Sequence, residues 1–211
     1  DLDAQGLTHK IQQHFKIASP QQANLDTWQS YVQLIKASKE PLRLGFVVKY
    51  MSNSDPYLSV IDALKSAAYH AGKKLELITI AAEDLEQAVG TDRYEQAVAA
   101  LRSVAGIVVP GGFGKRGIEG KIIATRFARE HKIPYLGLCL GMQVMVIEAA
   151  RSLLHLRLAN SVEFDAATPD PVIELMAQQK GVRDMGATMR LGSYSCSILP
   201  GTKAHQAYAT T

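Results

Sequence analysis

Along most of the chain, short apolar runs typical of buried strands alternate with segments whose apolar residues have helical spacing. Short apolar runs, which are typical of buried strands, lie at 42–48, 74–80, 105–109 and 133–136. Segments with the helical spacing of about 3.6 residues follow these runs. They lie at 55–71, 83–89, 93–101, 121–131 and 142–151. Because strands alternate with helices, we predict an α/β fold: an open, mostly parallel sheet with helices on both faces.

The first 40 residues depart from this alternation. Helical apolar spacing occurs at 7–15 and 25–35, and Pro20 separates the two segments. We therefore predict a helical linker at 1–40, followed by an α/β domain at 41–211. The linker is expected to join this domain to an upstream domain.

The pattern changes again after Asn160. Apolar side chains at 172–176 and 187–199 are spaced as in strands. These two segments are predicted to form a small antiparallel addition to the main sheet.

Composition and charge narrow the possible functions. The net charge of +3 is spread along the chain and no aromatic-basic platform is present, which argues against nucleic-acid binding. No apolar stretch approaches the roughly 20 residues that a membrane helix needs. The only cysteines, Cys139 and Cys196, form no disulfide framework, so a reducing, cytoplasmic environment is expected. No Cys/His cluster has metal-ligand spacing, so no metal site is predicted.

Residues 137–141 read Gly-Leu-Cys-Leu-Gly between a predicted strand and a predicted helix. A nucleophile flanked at two residues' distance by small residues is typical of a nucleophile elbow. The turn is too tight for side chains at Gly137 and Gly141, and it places Cys139 beside the first N–H groups of the helix. Those donors favour a thiolate and can stabilise an oxyanion. A buried structural cysteine would explain each residue singly but not the pattern.

A glycine-rich loop at 109–114, Val-Pro-Gly-Gly-Phe-Gly, closes the third predicted strand. Its backbone N–H groups can face a ligand without interference from side chains. A plain glycine turn or a phosphate loop are alternatives, although the loop lacks the Gly-Lys-Ser/Thr ending of Walker motifs. Since carboxyl ends of parallel strands share one edge, we expect the loop to meet Cys139. The pair suits acyl transfer on a thiol.

Several segments together resemble the class I (triad) glutamine amidotransferases, which have a flavodoxin-like fold, and more narrowly the glutaminase domain of the CTP synthase family. The segments that carry the resemblance are 49–50, 55–60, 110–114, 117–120, 126–130, 133–143, 159–164 and 186–192. The likeness runs from about residue 7 to the end of the sequence. The first 40 residues resemble the end of the linker that follows the synthetase domain in that family.

The resemblance implies roles for particular residues. Cys139 would attack the side-chain amide of glutamine, and the backbone N–H groups of Gly112 and Leu140 would hold the oxyanion. Contacts with glutamine are implied for Gly112, Leu140, Gly141, Met142, Gln143 and Glu163. Lys115 and Arg116 lie where the family has a lid implicated in control by GTP.

The resemblance also implies partners. The glutaminase domain itself would need no cofactor, whereas the full-length enzyme would use ATP, Mg²⁺, UTP and allosteric GTP. Ammonia released from L-glutamine would pass to the protein's own N-terminal synthetase domain. The full-length enzyme would be a homo-tetramer in the cytoplasm.

The segment that carries the family's general base has no counterpart among residues 1–211. The family's catalytic His and Glu lie in a His-x-Glu segment that would follow Thr211, and none of the six histidines is followed two residues later by Glu or Asp. Either the polypeptide ends before that segment, or the segment lies beyond the printed residues. A polypeptide ending at Thr211 is expected to hydrolyse glutamine negligibly.

Other classes of protein remain open. Dienelactone hydrolases and DJ-1-like proteins share the elbow, but they would need a histidine that meets Cys139. A regulatory or assembly module would leave this thiol idle. Dinucleotide binding is a weaker alternative, because the loop at 109–114 does not match Gly-x-Gly-x-x-Gly after the first strand.

Overall fold

The computed structural model describes residues 5–17, 24–49, 55–175 and 195–208. The α-helices are α1 (Leu7–His14), α2 (Asp26–Ala37), α3 (Leu58–His70), α4 (Ala82–Leu85), α5 (Asp92–Arg102), α6 (Ile118–Glu130), α7 (Leu140–Leu153) and α8 (Lys203–Tyr208). The strands are β1 (Glu40–Val48), β2 (Lys73–Ala81), β3 (Gly106–Val109), β4 (Tyr135–Gly137), β5 (Asn160–Ser161) and β6 (Pro171–Ile173). A short 3₁₀ turn, Asp55–Tyr57, precedes α3.

The main sheet has the strand order β2-β1-β3-β4, and all of its pairs are parallel. In register, Gly45 lies opposite Ile107, and Val109 lies opposite Gly137. Chain order and spatial order diverge between β1 and β3, which is where open α/β sheets form a crevice at their carboxyl edge. The predicted α/β fold is confirmed.

The sheet is covered on both faces because successive strand residues point to opposite sides. Val47 packs with side chains from α4 to α7, whereas Phe46 and Val48 pack with the 3₁₀ turn and α3. In the same way, Ile107 faces the first cluster and Val108 the second. The continuous apolar run of β1 is therefore that of a strand buried on both faces.

Helices α6 and α7 are joined by an ion pair beneath the surface. Arg129 Nε and Nη2 donate to the carboxylate of Glu148 at 2.9–3.1 Å, and Ser152 Oγ donates to the same carboxylate at 2.7 Å. The Glu148 side chain is only 3% exposed, so these donors replace its hydration. The ion pair therefore holds α7, the helix that follows the elbow, against α6.

The addition predicted after Asn160 is described only in part. The segment predicted at 172–176 forms β6, which pairs in parallel with the two-residue strand β5. Of the second predicted strand, 187–194 lies outside the described residues and 195–199 forms no strand.

Some predicted boundaries also shift. The helix predicted at 83–89 is shorter, since α4 ends at Leu85. A turn follows in which Gly90 adopts a φ of 91°, and Thr91 caps the next helix by accepting from the N–H of Tyr94. Helices α1 and α2 lie where helices were predicted. In the described part of the chain, no helix has both the length and the hydrophobicity needed to span a bilayer.

Candidate active site

Cys139 lies at the junction of β4 and α7 with φ 53° and ψ −108°. A positive φ is unusual for a residue with a Cβ, and such strain concentrates at functional sites. The turn is closed by the N–H of Gly141, which donates to Leu138 O at 2.9 Å, and by the N–H of Met142, which donates to Cys139 O at 3.0 Å. The cysteine side chain is exposed. The junction therefore presents a thiol at the N-terminus of a 14-residue helix.

The glycines of the elbow are required by close approach. A Cβ added at Gly137 would lie 2.5 Å from both the carbonyl carbon and oxygen of Gly141. A Cβ added at Gly141 would overlap the carbonyl oxygen of Val109. The elbow thus packs backbone against backbone, as the sequence analysis predicted for these positions.

The glycine loop after β3 lies directly against the elbow. A Cβ added at Gly111 would be 3.3 Å from Cys139 Cβ and 3.8 Å from its Sγ, and one added at Gly112 would be 3.7 Å from Leu140 Cδ2. Within the described ranges, the backbone N–H groups of Gly112 and Leu140 donate to no protein acceptor. The predicted juxtaposition of loop and thiol is therefore present, with two available donors beside it.

Two buried lysines lie beneath the glycine loop. Lys49 Nζ donates to the carbonyl oxygens of Phe113 at 2.8 Å and Gly114 at 2.5 Å. Lys121 Nζ donates to the carbonyl oxygen of Pro110 at 2.9 Å. Lys49 is 2% exposed and Lys121 is 0% exposed. Their ammonium groups therefore have the loop carbonyls, rather than water, as hydrogen-bond acceptors. The inner side of the loop is thus lined by carbonyls that face cations.

Burial changes the ionisation of both lysines. Desolvation is the first cause of the lowered pKa of Lys121, which falls to about 7, and repulsion by Lys49 is the second. Desolvation likewise lowers the pKa of Lys49, while the carboxylate of Glu163 opposes that shift. The region behind the thiol therefore holds positive charge that is poorly solvated.

Glu163 is the distant residue that the fold brings to the loop. Its N–H donates to Ser161 Oγ at 3.2 Å at the end of β5, and its Oε1 accepts from the N–H of Gly114 at 3.5 Å. The side chain is half-buried. Of the other predicted glutamine contacts, Met142 is 45% exposed and Gln143 is half-buried, both on the first turn of α7.

The two residues predicted to form a lid differ from each other. Arg116 Nη2 donates to Lys49 O at 2.9 Å, and Arg116 Nε pairs with Glu83 Oε1 at 2.8 Å. Lys115 is exposed. Arg116 therefore anchors the end of the glycine loop to β1 and α4, while Lys115 faces solvent.

A half-buried tyrosine supports the first turn of α7. Tyr135 Oη donates to Gly141 O at 2.8 Å and accepts from Thr125 Oγ1 at 3.1 Å. Burial raises the pKa of Tyr135 to about 12. The phenol therefore remains a donor and connects β4, α6 and the elbow.

Sequence reasoning missed the parts played by Lys49, Lys121 and Tyr135. A signal existed for the lysines: Lys49 directly follows an apolar strand, and Lys121 occupies a core-facing position of a helix beside Ile118 and Ile122. A charged residue at a core position usually has a buried partner. The identity of that partner, a loop carbonyl, was not readable from spacing.

No general base is in place among the described residues. Within those ranges no histidine lies at hydrogen-bonding distance from the thiol of Cys139. The same ranges contain no group of three or more His, Cys, Asp or Glu that could hold a metal ion. The described site thus consists of a nucleophile, two N–H donors and their supports.

This geometry agrees with comparisons to known proteins. Residues 53–210 match the family model described as glutamine amidotransferase class-I, and the chain belongs to that family. It is 50% identical over 186 residues to a CTP synthase of Roseiflexus castenholzii, covering 88% of this chain and 32% of the relative. It is 43% identical over 210 residues to a CTP synthase of Methanosarcina acetivorans, covering 100% of this chain and 38% of the relative.

A solved structure is similar as well. The glutaminase domain of Trypanosoma brucei CTPS with bound acivicin superposes with a TM-score of 0.59 at 36% identity, covering 66% of this chain and 52% of that one. The chain spans about a third of the length of the curated relatives that it matches. The comparisons therefore concern one part of those longer proteins.

Proposed function

We propose that this chain is the glutaminase part of a CTP synthase. It would hydrolyse L-glutamine to glutamate and supply ammonia for the ATP-dependent amination of UTP to CTP. The observation that carries the proposal is the exposed Cys139 at positive φ, with the N–H groups of Gly112 and Leu140 beside it. The names of its relatives give the reaction class.

In the proposed reaction, Cys139 Sγ attacks the side-chain carbonyl carbon of glutamine. The carbonyl oxygen gains negative charge, which the N–H groups of Gly112 and Leu140 stabilise. The C–N bond breaks, ammonia leaves with the proton taken from the thiol, and a glutamyl thioester remains. Water then cleaves the thioester to glutamate and regenerates the thiol. The base that moves these protons would be the family's His-x-Glu pair, outside the described residues.

Recognition of glutamine is proposed to use the surroundings of the elbow. Gln143 and Met142 lie on the first turn of α7, and Gly141 lines the same turn. Glu163 would bind the α-amino group, because its half-buried carboxylate lies at the loop beside the thiol. The proposed site therefore combines a neutral wall with one negative charge, which suits an α-amino acid.

The remaining parts of the proposal concern the complete enzyme. Its synthetase domain would lie upstream of the helical linker at 1–40, bind ATP, Mg²⁺ and UTP, and assemble a homo-tetramer. GTP would act at the glycine loop, where Lys115 is exposed and Arg116 ties the loop to Lys49. No group in the described ranges suits a metal ion, so the proposal assigns Mg²⁺ to the synthetase domain.

The two cysteines allow a matched test, since both are exposed. The complete polypeptide would be treated with an electrophilic glutamine analogue, with and without excess glutamine, and its mass measured. We expect one adduct, which glutamine suppresses, which Cys139→Ser abolishes and which Cys196→Ser leaves unchanged. Cys139→Ser should also abolish glutamine-dependent CTP formation while ammonia-dependent formation continues.

The other outcomes separate the alternatives. An adduct that forms equally on both cysteines and ignores glutamine would indicate an idle thiol and a regulatory or assembly module. Glutamine hydrolysis without any CTP formation from UTP, ATP and ammonia would retain the amidotransferase reaction and reject the synthase assignment.

A further inference from the structure

Lys49 is placed where the proposed reaction gives it no role. It directly follows β1 and is 2% exposed. Among the described residues its hydrogen-bond partners are loop carbonyls, and the carboxylates of Glu163, Glu83 and Glu86 act on its ammonium only at longer range. Burial of an ammonium group is costly, so a fold that retains one has a use for it at that place.

The hydrogen bonds of Lys49 orient the peptide units of the glycine loop. In a trans peptide the C=O and the following N–H point in opposite directions. Because Lys49 Nζ binds the Phe113 carbonyl, the N–H of Gly114 is turned to the other side, where it donates to Glu163 Oε1. The stem of Lys49 also supports Gly112, whose added Cβ would lie 3.3 Å from Lys49 Cδ.

We propose that Lys49 is a positioning residue for the oxyanion hole. By holding the Phe113 carbonyl on the inner side of the loop, it turns the N–H of Gly114 towards Glu163. Its stem packs beneath Gly112, the proposed oxyanion donor, and so fixes the position of that residue beside Cys139. This inference rests on the proposed glutaminase reaction. It adds that a residue at the end of β1 orients the side of the glycine loop that faces the thiol. The loop itself follows β3, the neighbouring strand on the other side of the point where the strand order reverses.

Lys121 provides a matched comparison. It is equally buried and also donates to one loop carbonyl, that of Pro110. That carbonyl directly follows β3, whose end is already fixed because the N–H of Leu138 donates to Val109 O at 2.9 Å. The tip of the loop lies further from the sheet and depends on Lys49. Loss of the two lysines should therefore have different effects on the reaction.

The test uses Lys49→Met and Lys121→Met in the complete polypeptide, since methionine keeps volume but cannot donate. Lys49→Met should lower kcat for glutamine hydrolysis about 100-fold, as expected for a misplaced oxyanion donor, and change KM for glutamine less than about threefold. Lys121→Met should lower kcat by less than about tenfold, because the end of β3 stays fixed by the sheet and only the charge near Cys139 is lost. Ammonia-dependent CTP formation should be unchanged in both, and alkylation of Cys139 by iodoacetamide should be unchanged in Lys49→Met.

Lys49→Arg keeps a charged group that can donate to both carbonyls, so it should retain more than about a tenth of the wild-type kcat. Lys49→Gln should retain less than Lys49→Arg. This series also decides the case if Lys49→Met does not fold. Wild-type kcat in Lys49→Gln or Lys49→Met, or equal losses from Lys49→Met and Lys121→Met, would overturn the proposal. Loss of ammonia-dependent CTP formation in step with glutamine hydrolysis would overturn it as well, because it indicates general damage. A wild-type enzyme that does not hydrolyse glutamine would instead reject the proposed function.

Discussion

Replacement of Gly137 by alanine is expected to disable the elbow while the sheet remains folded. The added Cβ would lie 2.5 Å from Gly141 C and O and 2.6 Å from the nitrogen of Met142. Ordinary van der Waals contact begins near 3.4 Å, so the first turn of α7 must move by about 0.9 Å. That turn carries the N–H of Leu140, and it is held in place by the hydrogen bond from Tyr135 to Gly141.

A displacement of this size has a calculable effect on the reaction. Misplacement of a catalytic group by about 1 Å can cost about 100-fold in rate, and loss of one oxyanion donor costs about 100- to 1,000-fold. We therefore expect Gly137→Ala to lower kcat for glutamine hydrolysis by about 100-fold or more. The assay is the steady-state release of glutamate by the complete polypeptide, with thermal unfolding measured on the same sample.

Gly106→Ala is the matched control, since Gly106 also lies in the sheet. Its added Cβ would meet Leu44 Cδ2 at 3.2 Å, the far end of a flexible side chain that can move. This variant should retain most of the wild-type kcat. If Gly137→Ala kept more than about a third of the wild-type kcat, the close approach of β4 and α7 would not control the oxyanion hole, and the reasoning would be wrong.

Three further predictions concern buried polar groups. Arg129→Met should lower the free energy of unfolding by about 3 kcal/mol, because it leaves the Glu148 carboxylate without its ion-pair partner. Adding Glu148→Met should restore most of the lost stability, as measured by urea denaturation. Equal losses in the single and double variants would contradict this. Tyr135→Phe should cost about 1 kcal/mol at neutral pH. It should also remove the loss of stability between pH 10 and about 12, where the unfolded phenol ionises before the buried one. Lys121 has a folded pKa of about 7, so the unfolded state binds more protons between pH 7 and about 10.5, and stability rises with pH there. Lys121→Met should abolish that rise in thermal melts; an unchanged slope would refute it.

Local patterns were enough to predict the sheet and the elbow. The apolar run at 42–48 and the spacing of glycines around Cys139 report on contacts within a few residues, and both are present in the structure. The meeting of the glycine loop with Cys139 was also predictable, because parallel strands end at one edge of a sheet.

The supports of the site could not be predicted in the same way. Lys49 contacts Phe113 and Gly114 across 64 and 65 residues of sequence, and Glu163 meets Gly114 across 49. No periodicity encodes such pairings. The same holds after Asn160: spacing identified β6 as a strand, but its parallel partner β5 is a two-residue strand that the pattern does not contain.

The strand order has a consequence for how the protein acquires its site during folding. The glycine loop, the thiol and Lys49 follow three different parallel strands, and closing parallel pairs of high sequence separation is slow because chain entropy is lost before contacts form. Until β1, β3 and β4 have all paired, the glycine loop, the thiol and Lys49 are not brought together. The proposed glutaminase activity is therefore expected to appear only after all three strands have paired.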